Sequence, residues 1–209
     1  MTAAIFLGKD GTLLEKVAGN GARSTHQIRL RPGAVDALLL LSGLGYKVFV
    51  VSNQPGVARG EFPMGALDAV SAHLDDLFLA HGFKLSGCYW CPHDPAGSVT
   101  HYAFECACRK PLPGLIEAAA RDHELDLSRS WVIGCDVDDI EAGVRAGCNT
   151  VWIGAADDAM RRSLPDLKAS DLLDAAARIM RARESGAAPG ALYSAAWTPQ
   201  PSSASRPDS

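Results

Sequence analysis

Short apolar runs alternate with longer amphipathic stretches through most of the chain. Each run has the length of a buried strand, and each longer stretch has apolar residues at the spacing of a helix that faces a core. Strands that alternate with helices indicate a parallel sheet with right-handed crossovers. The pattern predicts an α/β domain with strands at 5–7, 46–51, 85–90, 130–134 and 150–153, and helices at 34–44, 64–81, 113–123, 140–146 and 171–183.

Length and composition favour a single domain. The chain has 209 residues, of which 47% are hydrophobic and 21% charged, which is enough for one medium-sized core. We therefore predict one Rossmann-like, doubly wound domain over residues 1–183. Residues 184–209 are mostly Ala, Gly, Pro and Ser with isolated Tyr193 and Trp197, and we expect them to form a disordered tail.

The charge balance argues against some classes of partner. The formal net charge is −4, so the chain has no overall positive field for nucleic acid or for an anionic membrane. No apolar run is long enough to span a bilayer, and no basic leader precedes the first strand. We expect a soluble cytoplasmic protein that holds any anionic ligand through local groups.

Four of the six cysteines lie close together in the sequence. Cys91-Pro-His93 and Cys106-Ala-Cys108 are two short ligand pairs joined by a hydrophilic loop, a spacing suited to tetrahedral Zn²⁺. The alternatives are ordinary reduced cysteines, or a four-cysteine site that uses Cys88 in place of His93. Strand alternation disfavours Cys88, because it would point to the opposite face from Cys91. A metal with four protein ligands would have a structural role.

Two sequence motifs carry a family resemblance. The segment Lys9-Asp10-Gly11-Thr12, which follows an apolar strand, resembles the first motif of the haloacid-dehalogenase (HAD) superfamily of phosphatases, Asp-x-Asp-Gly-Thr. The Cys-x-His and Cys-x-Cys loop, followed by Arg109-Lys110-Pro111, is similar to the zinc loop of D-glycero-D-manno-heptose 1,7-bisphosphate phosphatases and their histidinol-phosphate phosphatase relatives. The resemblance extends from Phe6 to about Ile153, in the expected order.

The resemblance implies a set of phosphate-binding residues. Ser52, Asn53 and Gln54 match the second motif, whose hydroxyl and backbone amides bind the transferring phosphoryl group. Lys110 matches the lysine of the third motif, and Arg109 matches the residue that recognises substrate in the heptose branch. Such a group of donors and cations is what a phosphoryl group requires.

The same resemblance shows where the chain departs from its family. Gly8 stands at the position of the phosphoryl-accepting aspartate, and Cys135 stands at that of a Mg²⁺-binding aspartate. Asp10, the general acid and base of the family, and Asp139 of the fourth motif are retained, with Asp136 beside the vacated position. We expect a degraded Mg²⁺ site formed by Asp10, Asp136 and Asp139. We also expect no covalent phosphoenzyme, because glycine has no side chain to attack phosphorus.

Other residues offer alternative roles at the altered site. Asp136 is a candidate to turn toward a cation, and Lys9 is a candidate to bind phosphate where the metal charge would otherwise lie. Cys135 has no histidine nearby in the sequence, which favours an inert thiol over a nucleophile. Asp10 has a structural alternative, in which it hydrogen-bonds its own Gly11-Thr12 turn.

Two functions follow from these observations. The first is a phosphatase for a small sugar phosphomonoester, with weak or rerouted activity. The second is a non-catalytic relative that binds a phosphorylated metabolite and regulates or scaffolds another protein. In both, the ligand is a small phosphorylated sugar or a similar metabolite, and Zn²⁺ is the expected cofactor, whereas the lost carboxylates disfavour Mg²⁺.

Overall fold

A computed structural model describes residues 1–17, 24–155 and 164–185. Within them, six strands form one parallel sheet in the order β3-β2-β1-β4-β5-β6, which is the Rossmann order. The predicted fold class is therefore confirmed. The strands are β1 Ala4–Leu7, β2 Lys47–Asn53, β3 Gly87–Cys91, β4 Trp131–Gly134, β5 Asn149–Ile153 and β6 Leu167–Ala169.

Helices cover both faces of this sheet. One face packs against α1, α2 and α5, and the other packs against α3 and α4. Short 3₁₀ turns occupy Thr25–Gln27 and Leu127–Arg129. The α-helices are α1 Ala34–Gly43, α2 Gly65–Leu79, α3 Gly114–His123, α4 Val137–Arg145 and α5 Leu172–Ser185.

The central strands are buried on both sides. In β1, Ile5 and Leu7 belong to the core under α1, α2 and α5, whereas Phe6 belongs to the core under α3. Phe6 stacks on Phe49 of β2, with their ring centroids 5.7 Å apart. A strand that is covered on both faces must be apolar at every position, which explains the uninterrupted apolar runs in the sequence.

The strand order creates a crevice at one edge of the sheet. β1 pairs with β2 on one side and with β4 on the other, because the crossover after β1 leads to one side of it and the crossover after β3 leads to the other. The Gly8 N–H donates to the carbonyl of Ile133 at 3.0 Å, which extends the β1–β4 pairing past the end of β1. In open α/β sheets, ligands bind at this switch point, beyond the carboxyl ends of the strands.

Several details differ from the sequence prediction. β6 was not predicted, and α4 begins three residues earlier than expected, because Asp136 and Asp139 cap its first turn. The last helix continues through Glu184 to Ser185, and the rest of the predicted tail, 186–209, lies outside the described residues, as do 18–23 of the loop before α1. No helix of the described ranges is long and apolar enough to cross a bilayer.

Candidate functional site

A cavity of about 390 Å³ opens at the carboxyl edge of the sheet. It lies where β1 and β4 end, with the end of β2 and the segment before α3 on its other sides. We call it the edge cavity. It contains every predicted site residue of this edge except Gln54 and Cys135. The described residues that line it are Gly8, Lys9, Asp10, Lys16, Val17, Ser52, Asn53, Pro55, Arg109, Lys110, Asp136, Asp138 and Asp139.

Asp139 occupies the space above Gly8. A Cβ atom placed on Gly8 would lie 2.9 Å from Oδ2 of Asp139 and 3.2 Å from the hydroxyl oxygen of Thr12. The neighbouring Gly134 permits this position, because a Cβ there would lie 2.2 Å from the Cβ of Asp139. The carboxylate of the fourth motif therefore packs against the two glycines and leaves no room for a larger residue 8 unless it moves.

Lys110 and Asp139 form a buried ion pair. Lys110 Nζ donates to Oδ1 of Asp139 and, at 3.0 Å, to the carbonyl of Val51. Both side chains are almost fully buried, at 7% and 6% exposed. The other oxygen, Oδ2, accepts from the backbone N–H groups of Cys135 and Asp136 at 3.3 and 3.4 Å. All the strong interactions of the Asp139 carboxylate are thus made within the protein.

The second-motif segment at the end of β2 holds Lys110 in position. The Asn53 amide donates from Nδ2 to the carbonyl of Lys110 and accepts at Oδ1 from its N–H, both at 2.9 Å. Ser52 lines the cavity and accepts from Gln54 Nε2 at 2.9 Å. The Gln54 side chain is fully buried and outside the cavity lining. Asn53 and Gln54 thus orient the groups that face the cavity.

Lys9 and Asp10 follow β1 and face the cavity. Lys9 Nζ lies 3.5 Å from Oδ2 of Asp10 and 5.8 Å from the centre of the Trp90 ring. Only 1% of Lys9 is exposed, and this burial lowers the pKa of its ammonium group. A phosphoryl group in the cavity would meet a poorly solvated cation at this side, close to the retained Asp10 carboxylate.

Cys135, Asp136 and Asp139 bring donor atoms within 4.8 Å of one another. Asp136, however, is at the N-terminus of α4 with 61% of its side chain exposed, and Oδ1 lies 3.3 Å from Lys16 Nζ. Burial raises the pKa of the Cys135 thiol, so its thiolate is disfavoured. The group therefore contains a buried thiol, one carboxylate in a buried ion pair with Lys110, and one exposed carboxylate beside Lys16.

A second group of side chains lies beside the edge cavity, between β3 and α3. The Cys/His cluster, as we call it, consists of Cys91, His93, Cys106 and Cys108. The sulfur of Cys91 is 3.7 Å from His93 Nδ1 and 3.5 Å from the sulfur of Cys106. Cys108 completes the group, with its sulfur 3.3 Å from His93 Nδ1 and 3.2 Å from the Cys106 sulfur. The two ligand pairs predicted from the sequence therefore converge on one point.

These separations suit a tetrahedral metal ion. With Zn–S bonds of ~2.3 Å and a Zn–N bond of ~2.0 Å, ligand atoms on a tetrahedron lie about 3.5–3.8 Å apart. The four residues could therefore hold a metal ion with only slight expansion. Cys88 is outside the cluster: it packs at the other face of β3, where burial raises the pKa of its thiol to about 11. The four-cysteine alternative is not the arrangement that the chain adopts.

Arg109 links the cluster to the edge cavity. It follows Cys108 directly, lines the cavity, and donates from Nη1 to the carbonyl of His93 at 2.9 Å. A second arginine, Arg59, braces the same loop through an ion pair with Asp94 at 2.6 Å. Arg59 and Lys16 were not predicted as site residues, because single charged residues in loops carry no signal of their own.

Comparison with known proteins agrees with this geometry. A family model described as HAD-hydrolase-like matches residues 107–175. The D-glycero-beta-D-manno-heptose-1,7-bisphosphate 7-phosphatase of Yersinia pestis is 33% identical over 147 residues, which cover 70% of this chain and 77% of that protein. The enzyme of the same name from Escherichia coli K12 is 34% identical over 148 residues, which cover 70% of this chain and 76% of the relative.

Two solved phosphatase structures are also similar to this chain. A D,D-heptose 1,7-bisphosphate phosphatase from B. bronchiseptica, complexed with magnesium and phosphate, superposes with a TM-score of 0.71 at 25% identity, over 86% of this chain and 98% of that one. A HAD-like phosphatase from Mesorhizobium loti superposes with a TM-score of 0.73 at 30% identity, over 86% and 87% of the two chains. The similarity thus extends over most of the described chain.

Proposed function

Because the chain belongs to the heptose-bisphosphate phosphatase family of the HAD superfamily, we propose that it binds a small phosphorylated sugar in the edge cavity and that its phosphatase reaction is impaired. The observation that supports impairment is the glycine at position 8. The position that the resemblance assigns to the attacking carboxylate has no side chain, and the Asp139 carboxylate packs over it, paired with Lys110. Residue 8 therefore has no carboxylate that could form a covalent bond to phosphorus.

The retained residues support binding of the phosphoryl group. Ser52, Asn53, Arg109 and Lys110 line the cavity together, and Asn53 fixes the backbone of Lys110 through two hydrogen bonds. A hydroxyl and two cations on a rigid edge are suited to bind phosphate, and the arginine offers paired donors. Asp10 faces the same space as the remnant of the general acid and base. Gln54 contributes by orienting Ser52.

The Cys/His cluster has a separate part in this proposal. We propose that Cys91, His93, Cys106 and Cys108 hold a structural Zn²⁺, since three sulfurs and one imidazole nitrogen lie at nearly tetrahedral separations. With all four positions filled by protein, such an ion activates no water. It fixes the loop that carries Arg109 and Lys110 into the edge cavity. The cytoplasmic location and the regulatory protein partner suggested by the sequence stay predictions.

The test of impairment measures phosphate release from D-glycero-D-manno-heptose 1,7-bisphosphate and from histidinol phosphate, with Mg²⁺ present. We expect the unmodified chain to be slower than the double variant Gly8→Asp/Cys135→Asp by roughly 10³-fold or more, because loss of a nucleophile removes most of the acceleration of a catalytic unit. In the double variant the Asp139 carboxylate must shift, because a Cβ at residue 8 would lie 2.9 Å from its Oδ2 atom.

The control adds Asp10→Asn to the double variant. If the gain depends on the restored family mechanism, the third substitution should abolish it, because Asp10 is then the acid that protonates the leaving oxygen. Turnover by the unmodified chain at about 1 per second or faster would be an ordinary enzymatic rate and would refute impairment. Calorimetry with the same phosphates should detect binding that Arg109→Gln weakens, and its complete absence would refute the binding proposal.

A further inference from the structure

The charged side chains of the edge cavity balance one another. Among its described lining residues, four are acidic and four are basic. The formal charge of this part of the chain is therefore zero at neutral pH. The acidic residues are Asp10, Asp136, Asp138 and Asp139, and the basic residues are Lys9, Lys16, Arg109 and Lys110.

This balance depends on the two altered positions. Carboxylates at residues 8 and 135, where the resemblance places them, would add two negative charges and bring the formal charge to −2. A bound Mg²⁺ would return it to zero. A site with both carboxylates is therefore neutral only when Mg²⁺ is bound. The chain with Gly8 and Cys135 is neutral there without any divalent cation.

The donor group formed by Cys135, Asp136 and Asp139 does not fit Mg²⁺. This ion requires nearly octahedral coordination by oxygen. Both oxygens of Asp139 already accept, from Lys110 on one side and from the N–H groups of Cys135 and Asp136 on the other. The Asp136 side chain lies 3.3 Å from Lys16, and Cys135 offers sulfur. A Mg²⁺ ion at these three residues would have to break the buried pair with Lys110, or else bind through the Asp136 carboxylate alone and water.

The cations that could replace a metal surround the same space. Lys9 extends from the end of β1 and is buried, with the Asp10 carboxylate at 3.5 Å. Arg109 enters from the opposite side, where its bond to His93 fixes its direction. Buried cations in a low-dielectric site attract an anion more strongly than exposed ones do. A phosphoryl group entering here would meet lysine and arginine side chains from two different elements.

We propose that the edge cavity binds the phosphoryl group of its ligand without a divalent cation, with the charge of Lys9 and Arg109 in place of the metal and the third N–H of the paired Lys110 as a further donor. This inference rests on the proposed function, because it requires that the cavity bind a phosphorylated ligand. It predicts that restoring the two carboxylates makes phosphate binding dependent on Mg²⁺. It also predicts that the unmodified chain has no affinity for Mg²⁺ at this edge.

The experiment is calorimetric titration of the full chain with inorganic phosphate, in buffer freed of divalent ions by a chelating resin and in the same buffer with Mg²⁺. The unmodified chain should bind with dissociation constants that agree within about twofold. Gly8→Asp/Cys135→Asp should bind at least roughly tenfold more weakly without Mg²⁺ and regain affinity with it, since two added carboxylates repel an anion at short range.

The matched control is Gly43→Asp/Gly65→Asp. It adds the same two charges on α1 and α2, where a Cβ would have no atom within 4 Å. This variant should bind phosphate as the unmodified chain does. A further titration adds Mg²⁺ alone to the unmodified chain, and its result does not depend on whether the variants fold. It should show no heat of binding.

The outcomes separate the two proposals. Phosphate binding by the unmodified chain only when Mg²⁺ is present would overturn the metal-independent site and leave the proposed function intact. No phosphate or sugar phosphate binding in either buffer would overturn the proposed function and this inference with it. Heat from Mg²⁺ alone that is lost in Asp139→Asn would show a cation site at this edge and would also overturn the inference.

Discussion

The Cys/His cluster and the edge cavity are neighbours in space but differ in how their charged groups are arranged. In the cluster, the donor atoms of Cys91, His93, Cys106 and Cys108 point at one another across 3.2–3.7 Å. In the cavity, Asp139 points at Lys110 and at backbone N–H groups. Donors that converge on a common centre are suited to a metal ion, whereas donors that already have protein partners are not.

The cluster and the cavity are expected to respond differently to the loss of a side chain. The proposed Zn²⁺ would couple ion binding to folding of the loop before α3. In the cavity, three lysines already pair with carboxylates, and the proposed ligand is an anion. The cluster should therefore be sensitive to loss of a single ligand, and the cavity to loss of a single buried charge.

The largest expected effect is that of Cys106→Ser. Loss of one thiolate should lower zinc content from about one ion per chain to a small fraction, and should decrease the free energy of unfolding by at least roughly 4 kcal/mol, since binding of the ion contributes to folding. Elemental analysis and denaturant titration measure both quantities.

Cys148→Ser is the matched control, because Cys148 is buried in the core under α3 and α4 and lies outside the cluster. It should retain the metal. A Cys106→Ser protein that kept one zinc and its full stability would show that the four side chains are not the binding site.

The next largest effect concerns the edge cavity. Lys110→Met should decrease the free energy of unfolding by roughly 3 kcal/mol, because it leaves the buried Asp139 carboxylate without its cation. Adding Asp139→Asn should recover part of that loss, since the second charge is then removed as well. Urea denaturation of the single and double variants measures this coupling.

Lys84→Met is the control for removal of an ammonium group, because Lys84 is exposed. It should change stability by no more than about 0.5 kcal/mol. Equal effects of the two lysine substitutions would mean that the buried pair contributes nothing, and the description of the cavity as internally neutralised would fail.

The difference between the two regions also explains what the sequence could reveal. The cluster ligands occur as Cys-x-His and Cys-x-Cys pairs, so a local pattern predicted all four residues and disfavoured Cys88. The alternating runs identified five strands of the sheet. β6 was not predicted, because its three residues are too few to show a periodic pattern.

The arrangement inside the cavity was beyond a sequence argument. Lys110 and Asp139 are 29 positions apart, and each was predicted as a separate ligand of phosphate or metal. Their pairing depends on the distance between the segment before α3 and the first turn of α4, which only the packed sheet fixes. Asp136 was a candidate cation ligand, but the start of α4 orients it toward Lys16. The glycine at position 8 can be read from the sequence. That the Asp139 carboxylate packs over this glycine cannot be read from it.

The smallest expected effect is that of Lys16→Gln, and it distinguishes a stabilising pair from a ligand-binding charge. Lys16 and Asp136 are 3.3 Å apart, but each side chain is 61% exposed. Water screens such a pair, so the substitution should change the free energy of unfolding by less than about 0.5 kcal/mol.

The same substitution removes one of four cations of the edge cavity, so phosphate affinity should fall by roughly two- to threefold at low salt and by less at high salt. Calorimetry at two ionic strengths, beside thermal unfolding, measures both. A stability loss as large as that of Lys110→Met, with phosphate affinity unchanged, would mean that the exposed Lys16–Asp136 pair stabilises the fold as much as the buried Lys110–Asp139 pair, and that Lys16 takes no part in phosphate binding.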